Sequence, residues 1–320
     1  MLFQTVLFVL RRKEVIEVEN LSKSYGAVKA LRGVNFNIAR GEIVGLLGPN
    51  GAGKTTIIKT LTGYLQPDSG VVRVAGLDVL THTRGVQAKI GYLPENAPLY
   101  PELSVQNYLQ IIADLRQVPE DKQLERISAA VHAVAIEEYL TRPIGQLSKG
   151  YRQRLGLAQA ILHQPELLIL DEPSVGLDPT QIVEMRRLIK RLSRHSTVLF
   201  STHILSEVEA LCDRAIILMN GEVRADARLA DLASTSNAIL VLQQPTGGVD
   251  ESLRRLKGVS RVESFRTPED YPAYRVVGSS ASDLSPEVFQ LAAEQRWQVR
   301  EIKHDVRTLE TVFNDLATAA

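Results

Sequence analysis

The chain has 320 residues, enough for one large or two modest domains with a sizeable core. Its 37 basic and 37 acidic side chains give a net charge of zero, which excludes the strongly basic nucleic-acid coat proteins and polybasic membrane-surface binders. Its 44% hydrophobic and 23% charged residues exclude a disordered chain and a polytopic membrane protein, and its single cysteine, Cys212, excludes an intrachain disulfide framework.

The chain begins with a short apolar segment, residues 1–10, followed by Arg11, Arg12 and Lys13. A bilayer-spanning helix needs about 20 apolar residues. A secretory signal carries its positive charge before the apolar run, and here the charge follows it. We therefore predict an N-terminal extension over residues 1–14, either a frayed start or an interfacial anchor.

From Val15 onward, strands alternate with helical segments. Short apolar runs predict strands at residues 15–20, 34–39, 42–47, 71–75, 90–93, 167–170, 197–201 and 214–219. Helical periodicity predicts helices from about residue 54, across 104–162, and at 180–192 and 205–211. A turn-rich stretch separates the first two strands, and Asn220-Gly221 is a hairpin signal. This alternation predicts an α/β fold with a largely parallel sheet.

The composition changes near residues 225–237, which are rich in Ala, Ser and Asp, and we predict a linker at 227–237. The predicted elements beyond it are strand 238–243, helix 250–256, strands 259–265 and 273–277, helix 286–295, strand 298–303 and a last helix near 308–316. The order β-α-β-β-α-β is typical of a small α+β ferredoxin-like fold. The sequence thus predicts a first domain over residues 15–226 and an accessory domain over 238–320.

Residues 48–55, with the sequence GPNGAGKT, match the phosphate-loop pattern G-x-x-x-x-G-K-[ST]. They follow an apolar strand and open a helix, where backbone N–H groups and the helix N-terminus attract phosphate oxygens. Lys54 has the reach to bind the β- and γ-phosphates, and the Thr55 hydroxyl is suited to Mg²⁺. The predicted ATP-binding residues of this segment are Gly48, Pro49, Asn50, Gly51, Ala52, Gly53, Lys54, Thr55 and Thr56.

Two carboxylates follow the apolar run LLIL at residues 167–170. At the end of a buried strand, Asp171 is placed to bind the metal and Glu172 to act as general base on an attacking water. His203 follows the next predicted strand, and we predict that it senses the γ-phosphate. The predicted catalytic residues are therefore Glu172 and His203.

Between these two motifs lies LSKGYRQR, residues 147–154. The phosphate loop, this signature segment and LLILDEP, in that order, resemble the ATP-binding cassette (ABC) family over residues 15–226. The segments LSKGYRQR, GYLPE and LDPTQ make the chain most similar to the ATPase subunits of ABC-2-type exporters, within them the gliding-motility-associated subgroup.

This resemblance implies a P-loop NTPase core with a mixed sheet, an antiparallel β subdomain and a helical subdomain. It also implies a head-to-tail homodimer that binds two ATP at its interface. Ser148 and Gly150 would then contact the γ-phosphate of ATP bound by the opposite subunit. Tyr25 would stack on adenine, and Asp178 would lie in the segment that links the two sites.

Three residues depart from the family pattern. Position 95 is Glu where most cassettes carry Gln as a metal and water ligand, although a carboxylate also coordinates Mg²⁺. Lys149 and Tyr151 replace the commoner Gly and Gln of the signature. The predicted metal ligands are accordingly Thr55, Glu95 and Asp171.

We predict a cytoplasmic ATP-hydrolysing subunit that drives a separate membrane permease in the direction of export. Through this permease it is expected at the inner face of the cell membrane, and it is expected not to bind nucleic acid. Two alternatives stay open at this point. One is a soluble, non-transport cassette ATPase that acts on ribosomes or nucleic acid. The other is an importer ATPase whose C-terminal domain senses a ligand, although the same domain would also suit a regulatory or dimerisation role.

Overall fold

The computed structural model of the chain describes residues 14–233, 237–278, 283–305 and 308–318. These residues form two compact units, one that ends at Arg228 and one that covers Leu229–Thr318. Each unit has its own hydrophobic core. The predicted N-terminal extension, residues 1–14, lies outside the described residues except for Glu14, with which the first strand begins.

A six-stranded sheet of order β10-β9-β3-β8-β7-β6 forms the centre of the first unit. Its strands are β3 (Ile43–Leu47), β6 (Ile90–Leu93), β7 (Leu167–Asp171), β8 (Thr197–Thr202), β9 (Arg214–Met219) and β10 (Glu222–Arg228). Every residue of β3, β7 and β8 is buried, as expected of parallel strands covered on both faces. Only β10 runs antiparallel, after the hairpin turn at Asn220-Gly221. The predicted α/β fold and the hairpin are confirmed.

An antiparallel sheet of order β2-β1-β4-β5 is the second layer of this unit. Its strands are β1 (Glu14–Tyr25), β2 (Val28–Ala39), β4 (Ser69–Val74) and β5 (Leu77–Asp78). The prediction of a turn-rich stretch between the first two strands is wrong, because both strands continue to a tight turn at Gly26-Ala27. Register shifts between Val18 and Leu21 break the alternation of buried and exposed residues, and this hides the continuation of β1 in the sequence.

Helices pack around both sheets. The helices of the first unit are α1 (Lys54–Leu61), α2 (Thr83–Lys89), α3 (Val105–Leu115), α4 (Glu120–Val134), α5 (Lys149–Ile161), α6 (Pro179–Leu192) and α7 (Leu205–Leu211). The predicted helical region 104–162 thus consists of three helices, with two 3₁₀ turns before α5. The sequence pattern missed α2, β5 and β10, since these elements are short or expose much of their length.

The second unit contains a four-stranded antiparallel sheet of order β12-β13-β11-β14. Its strands are β11 (Ala238–Leu242), β12 (Val259–Arg266), β13 (Pro272–Gly278) and β14 (Val299–His304). Its helices are α8 (Leu229–Ala233), α9 (Val249–Arg254), α10 (Ser285–Glu294) and α11 (Leu309–Thr318). Between α8 and α11 the order is the predicted ferredoxin-like one, with a core that includes Leu240, Leu253 and Val288.

The segment predicted as a linker, residues 227–237, has regular structure at its start. Ala227 and Arg228 end β10, and α8 follows at once. Residues 234–236 lie outside the described part of the chain. None of the helices that the structure describes is both long enough and apolar enough to cross a membrane.

Candidate nucleotide-binding site

The phosphate loop connects the end of β3 to the start of α1, where the motif predicts it. Gly53 precedes α1 with a φ of 108°, and a Cβ at this position would come within 2.7 Å of the Ala30 carbonyl oxygen, so glycine is required. The neighbouring Gly221 N–H donates to the Ala52 carbonyl at 3.1 Å. The loop therefore contacts both the β1–β2 hairpin and the β9–β10 turn.

Lys54 is buried at the first position of α1. Its Nζ donates to the Gly48 carbonyl at 2.7 Å and lies 3.8 Å from Glu172 Oε1. Burial lowers the pKa of Lys54, and the charges of Glu172, Asp171 and Glu95 oppose this lowering. Lys54 thus places a cation beside the mouth of the loop, with carboxylates around it.

The strand order brings the predicted acidic pair to the phosphate loop. Because β8 lies between β3 and β7, the carboxyl ends of these three parallel strands are adjacent. Asp171 ends β7 and accepts a hydrogen bond from Ser201 Oγ of β8 at 2.6 Å. Burial raises the pKa of Asp171, and the charges of Glu172 and Glu95 raise it further, whereas the Ser201 hydrogen bond lowers it. The negative charge of this carboxylate is therefore only partly compensated by its surroundings.

Glu172 is buried and has an unusual backbone conformation, with a φ of 49° in the left-handed region. Such a conformation costs a non-glycine residue about 1 kcal/mol or more and is common at functional sites. The Glu172 N–H still donates to the Ser201 carbonyl at 3.0 Å, so the turn leaves the end of the β7–β8 ladder intact.

The Glu172 carboxylate contacts His203, whose Nδ1 lies 3.0 Å from both of its oxygens. A carboxylate oxygen accepts hydrogen bonds, so Nδ1 is the donor in the tautomer that makes this contact. The His203 side chain is 46% exposed, and the Glu172 side chain only 9%. Glu172 is thus held from one side by Lys54 and from the other by His203.

Three further predicted residues of the ATP site lie at exposed positions. Thr55 is exposed in the first turn of α1. Glu95 is exposed just after β6, and its charge acts on both Lys54 and Asp171. Tyr25 ends β1 at the tip of the hairpin whose second strand supports Gly53, and half of its surface is free. All three are accessible to a bound molecule.

The signature residues belong to a second group, at the starts of α5 and α6. Ser148 caps α5 by accepting a hydrogen bond from the Tyr151 N–H at 3.4 Å, and Gly150 is buried in the first turn of the helix. Asp178 caps α6 and forms a capping box with Gln181. Gly150 packs directly on the Gln181 side chain.

The structure therefore joins Lys54, Asp171, Glu172 and His203 in one cluster and places Ser148, Gly150 and Asp178 in another. The sequence reasoning missed Ser201 and Gln181, which support these two groups. The spacing Asp178-x-x-Gln181 before a helical run is a readable capping signal, whereas nothing in the sequence pairs Ser201 with Asp171.

The donor set fits a magnesium ion. Thr55 and Asp171 supply oxygen atoms, the ligand type that Mg²⁺ prefers, and a cation would offset the burial and the neighbouring carboxylate charges that raise the pKa of Asp171. In the described part of the chain, no group of three or more His, Cys, Asp or Glu side chains is arranged as a metal site. Mg²⁺ commonly binds through one or two protein oxygens together with substrate phosphates and water, so this is no obstacle.

Comparisons with known proteins agree with this geometry. A family profile described as ABC transporter matches residues 31–175. The chain is 39% identical to the ABC transporter ATP-binding protein YdbJ of Bacillus subtilis, over 72% of this chain and 75% of that protein. It is 34% identical to the linearmycin resistance ATP-binding protein LnrL of Bacillus subtilis, over 74% of this chain and 77% of that protein.

A solved structure shares the architecture of the first unit. It is a dimeric bacterial ABC transporter cassette that superposes with a TM-score of 0.61 at 25% identity. The match covers 67% of this chain and 98% of the cassette. The similarity therefore extends over nearly the whole cassette and about two-thirds of this chain.

Proposed function

This chain belongs to the ATP-binding subunits of ABC transporters and is an ATPase of that family, and from this premise we propose that it works as a head-to-tail homodimer that drives a separate membrane permease. The observation that carries the proposal is the buried Glu172 carboxylate, held between Lys54 and His203 beside the phosphate loop. This arrangement suits the hydrolysis of a phosphate anhydride by an activated water.

In this mechanism, the phosphate loop and the start of α1 bind the ATP phosphates through backbone N–H groups. Lys54 exchanges its contact with the Gly48 carbonyl for phosphate oxygens. Glu172 takes the proton of the attacking water as general base, and His203 keeps the Glu172 side chain oriented towards the γ-phosphate. Tyr25, exposed at its hairpin tip, stacks on the adenine ring.

Thr55 and Asp171 would hold Mg²⁺, with Glu95 as a further oxygen ligand. When bound, the ion would neutralise charge that develops on the phosphates. Ser201 keeps Asp171 oriented for this role through its 2.6 Å hydrogen bond.

The signature group supplies the other half of the site in the dimer. Ser148 and Gly150 lie at the N-terminus of α5, where exposed N–H groups attract anions. We infer that they bind the γ-phosphate of ATP held by the partner subunit. The dimeric cassette that this chain resembles supports the formation of a dimer. ATP then closes the dimer and hydrolysis opens it.

We further infer that the permease is an exporter of the ABC-2 type and that the ATPase is bound to the inner face of the membrane through it. The signature segment LSKGYRQR supports this, and so does the relative named for linearmycin resistance. Rescue of a transport defect by this chain in a cell that lacks any permease would contradict the proposal.

The residues 15–226 form the ATP-binding domain in this proposal, and residues 238–320 form an accessory domain for dimerisation or regulation. Removing the chain from Ser236 onward separates the two roles. A dimerisation role predicts loss of the ATP-bound dimer, whereas a regulatory role predicts a changed ATPase rate with the dimer retained. An unchanged rate together with an unchanged dimer would contradict both.

The direct test of the site replaces Glu172 with Gln. We expect hydrolysis to fall about 100-fold or more because the general base is lost, whereas ATP binding persists because Lys54 and the loop are untouched. Phosphate release and binding of a fluorescent ATP analogue measure the two quantities. Glu138→Gln, an exposed acid on the same unit, is the control and should keep the wild-type rate. Hydrolysis by Glu172→Gln at the wild-type rate would remove Glu172 as base.

A further inference from the structure

The signature turn and the Asp178 segment touch at two places in the same subunit. At the first, Gly150 faces the Gln181 side chain so closely that a Cβ on Gly150 would lie 3.1 Å from its Cδ and Nε2. At the second, a Cβ on Gly176 would lie 2.1 Å from Lys149 Nζ, so the lysine amine rests on the bare Cα of Gly176. Side chains from each segment thus fill the space left by a glycine of the other.

Gln181 also holds the Asp178 segment. Its N–H donates to Asp178 Oδ1 at 2.9 Å, and its Oε1 accepts from the Asp178 N–H at 3.3 Å. The same side chain therefore fixes the start of α6 with its polar end and supports the first turn of α5 with its flat amide. Gln181 therefore contacts both helix starts, and a movement of one displaces a side chain that supports the other.

The Asp178 segment continues directly from the catalytic cluster. The Val175 N–H donates to the Glu172 carbonyl and the Leu177 N–H to the Ser174 carbonyl, each at 3.2 Å. These two tight turns restrict the backbone between Glu172 and Asp178. The path from the signature turn to Glu172 is therefore short and hydrogen-bonded along most of its length.

We propose that Gln181 is a positioning residue that holds the signature turn, Ser148 to Gly150, against the Asp178 segment, and so links ATP binding at this turn to the subunit's own Glu172. The proposal rests on the proposed function, in which the turn binds ATP of the partner subunit. In the dimer, each ATP site would then sense whether the other is occupied.

Two variants separate this role from simple helix capping. Gln181→Ala removes both the capping acceptor and the packing on Gly150, whereas Gln181→Met removes the acceptor and keeps a side chain of similar length. Both should lose stability through the missing capping contact, and Gln181→Ala should lose more because it also loses the packing on Gly150. The ion pair between Arg154 and Glu184, one turn further along α5 and α6, keeps the helices together in both.

Steady-state hydrolysis by the full chain is the first measurement. We expect Gln181→Ala to raise the KM for ATP about fivefold, the scale of coupling between residues in contact, with a smaller change in kcat. Gln181→Met should stay within about twofold of the wild-type KM. Thr180→Ala, exposed in the same turn, is the control and should behave as wild type. Equal KM values for the Ala and Met variants, or a wild-type KM for Gln181→Ala, would overturn the proposal.

Amide hydrogen exchange without nucleotide is the second measurement, and it does not depend on activity. Gln181→Ala should speed exchange at residues 149–152 as well as at 179–182, whereas Gln181→Met should affect only 179–182. A wild-type chain without ATPase activity would contradict the proposed function, and the exchange data would still decide whether Gln181 positions the signature turn. Unchanged exchange at 149–152 in Gln181→Ala would reject the positioning role.

Discussion

Different interactions stabilise the phosphate cluster, formed by Lys54, Asp171, Glu172 and His203, and the signature turn. Lys54 and Glu172 are almost fully buried, with side chains 7% and 9% exposed, and each has a charged partner within the same subunit. Ser148 and Lys149 are exposed, and the turn is held by a helix cap and by packing on glycines. A group of buried charges must be compensated inside the subunit, whereas an exposed turn is free to receive a ligand from outside.

The largest effect is expected from a substitution that removes the positive charge of the phosphate cluster. Lys54→Ala should lower kcat/KM for ATP about 100-fold or more, because it removes the cation at the phosphates and the positive charge that acts on Asp171 and Glu172. The measurement is steady-state hydrolysis together with ATP binding. Lys59→Ala, exposed in the last turn of the same helix, should keep both. A loss below tenfold for Lys54→Ala would show that the burial of this amine serves packing alone.

A smaller effect is expected at Asp171, where a substitution should raise the stability of the fold. Its raised pKa means that the native state holds the proton more tightly than the unfolded state, so stability falls as pH rises through that raised pKa. Asp171→Asn lacks this loss and should be more stable at neutral pH by about 1 kcal/mol, at the cost of hydrolysis. Below the ordinary pKa of an aspartate, the two proteins should be equally stable.

Thermal unfolding without nucleotide across this pH range measures the Asp171 effect. Asp226→Asn is the matched control, because Asp226 is paired with Arg214 and its removal should give no gain in stability. An Asp171→Asn protein that is less stable than wild type at neutral pH would show that the Ser201 hydrogen bond outweighs the burial of the charge.

The smallest effect concerns the signature turn. Ser148→Ala and Ser104→Ala each remove a helix cap, of α5 and of α3, and each should lower the free energy of unfolding by about 1 kcal/mol or less. Only Ser148→Ala should raise the KM for ATP, about fivefold, because only this hydroxyl is proposed to meet a phosphate. Chemical denaturation and hydrolysis rates measure the two quantities. Equal KM values for both variants would make Ser148 a helix cap alone.

The two regions also differ in how far the sequence predicts them. The phosphate loop is contiguous, and its glycines, Lys54 and Thr55 are required by backbone geometry and charge at fixed spacing. The wholly apolar run before Asp171 predicts a buried parallel strand, because such a strand has no exposed face. The ferredoxin-like order of the second unit was predictable for a related reason, since its strands and helices show clear periodicity and short connections.

Other features could not be read from the pattern. Strand β1 continues past Asn20 because cross-strand hydrogen bonds carry it through a change of register, and the sequence shows only a polar stretch there. The pairing of Ser201 with Asp171 depends on β8 lying beside β7. Likewise, the support of the phosphate loop by the Asn220-Gly221 turn depends on β9 lying beside β3.

The sequence by itself determined the chemistry of this protein: a phosphate loop, a carboxylate pair and a histidine, each at the end of an apolar strand, and the family to which they belong. Only the tertiary structure decided which groups meet. The order β3-β8-β7 places Lys54, Glu172 and His203 together, and the contact between the starts of α5 and α6 places Gln181 between the signature turn and Asp178. The reason is that motif residues follow from local backbone and chemical requirements, whereas contacts between distant segments follow from the pairing of strands and the packing of helices.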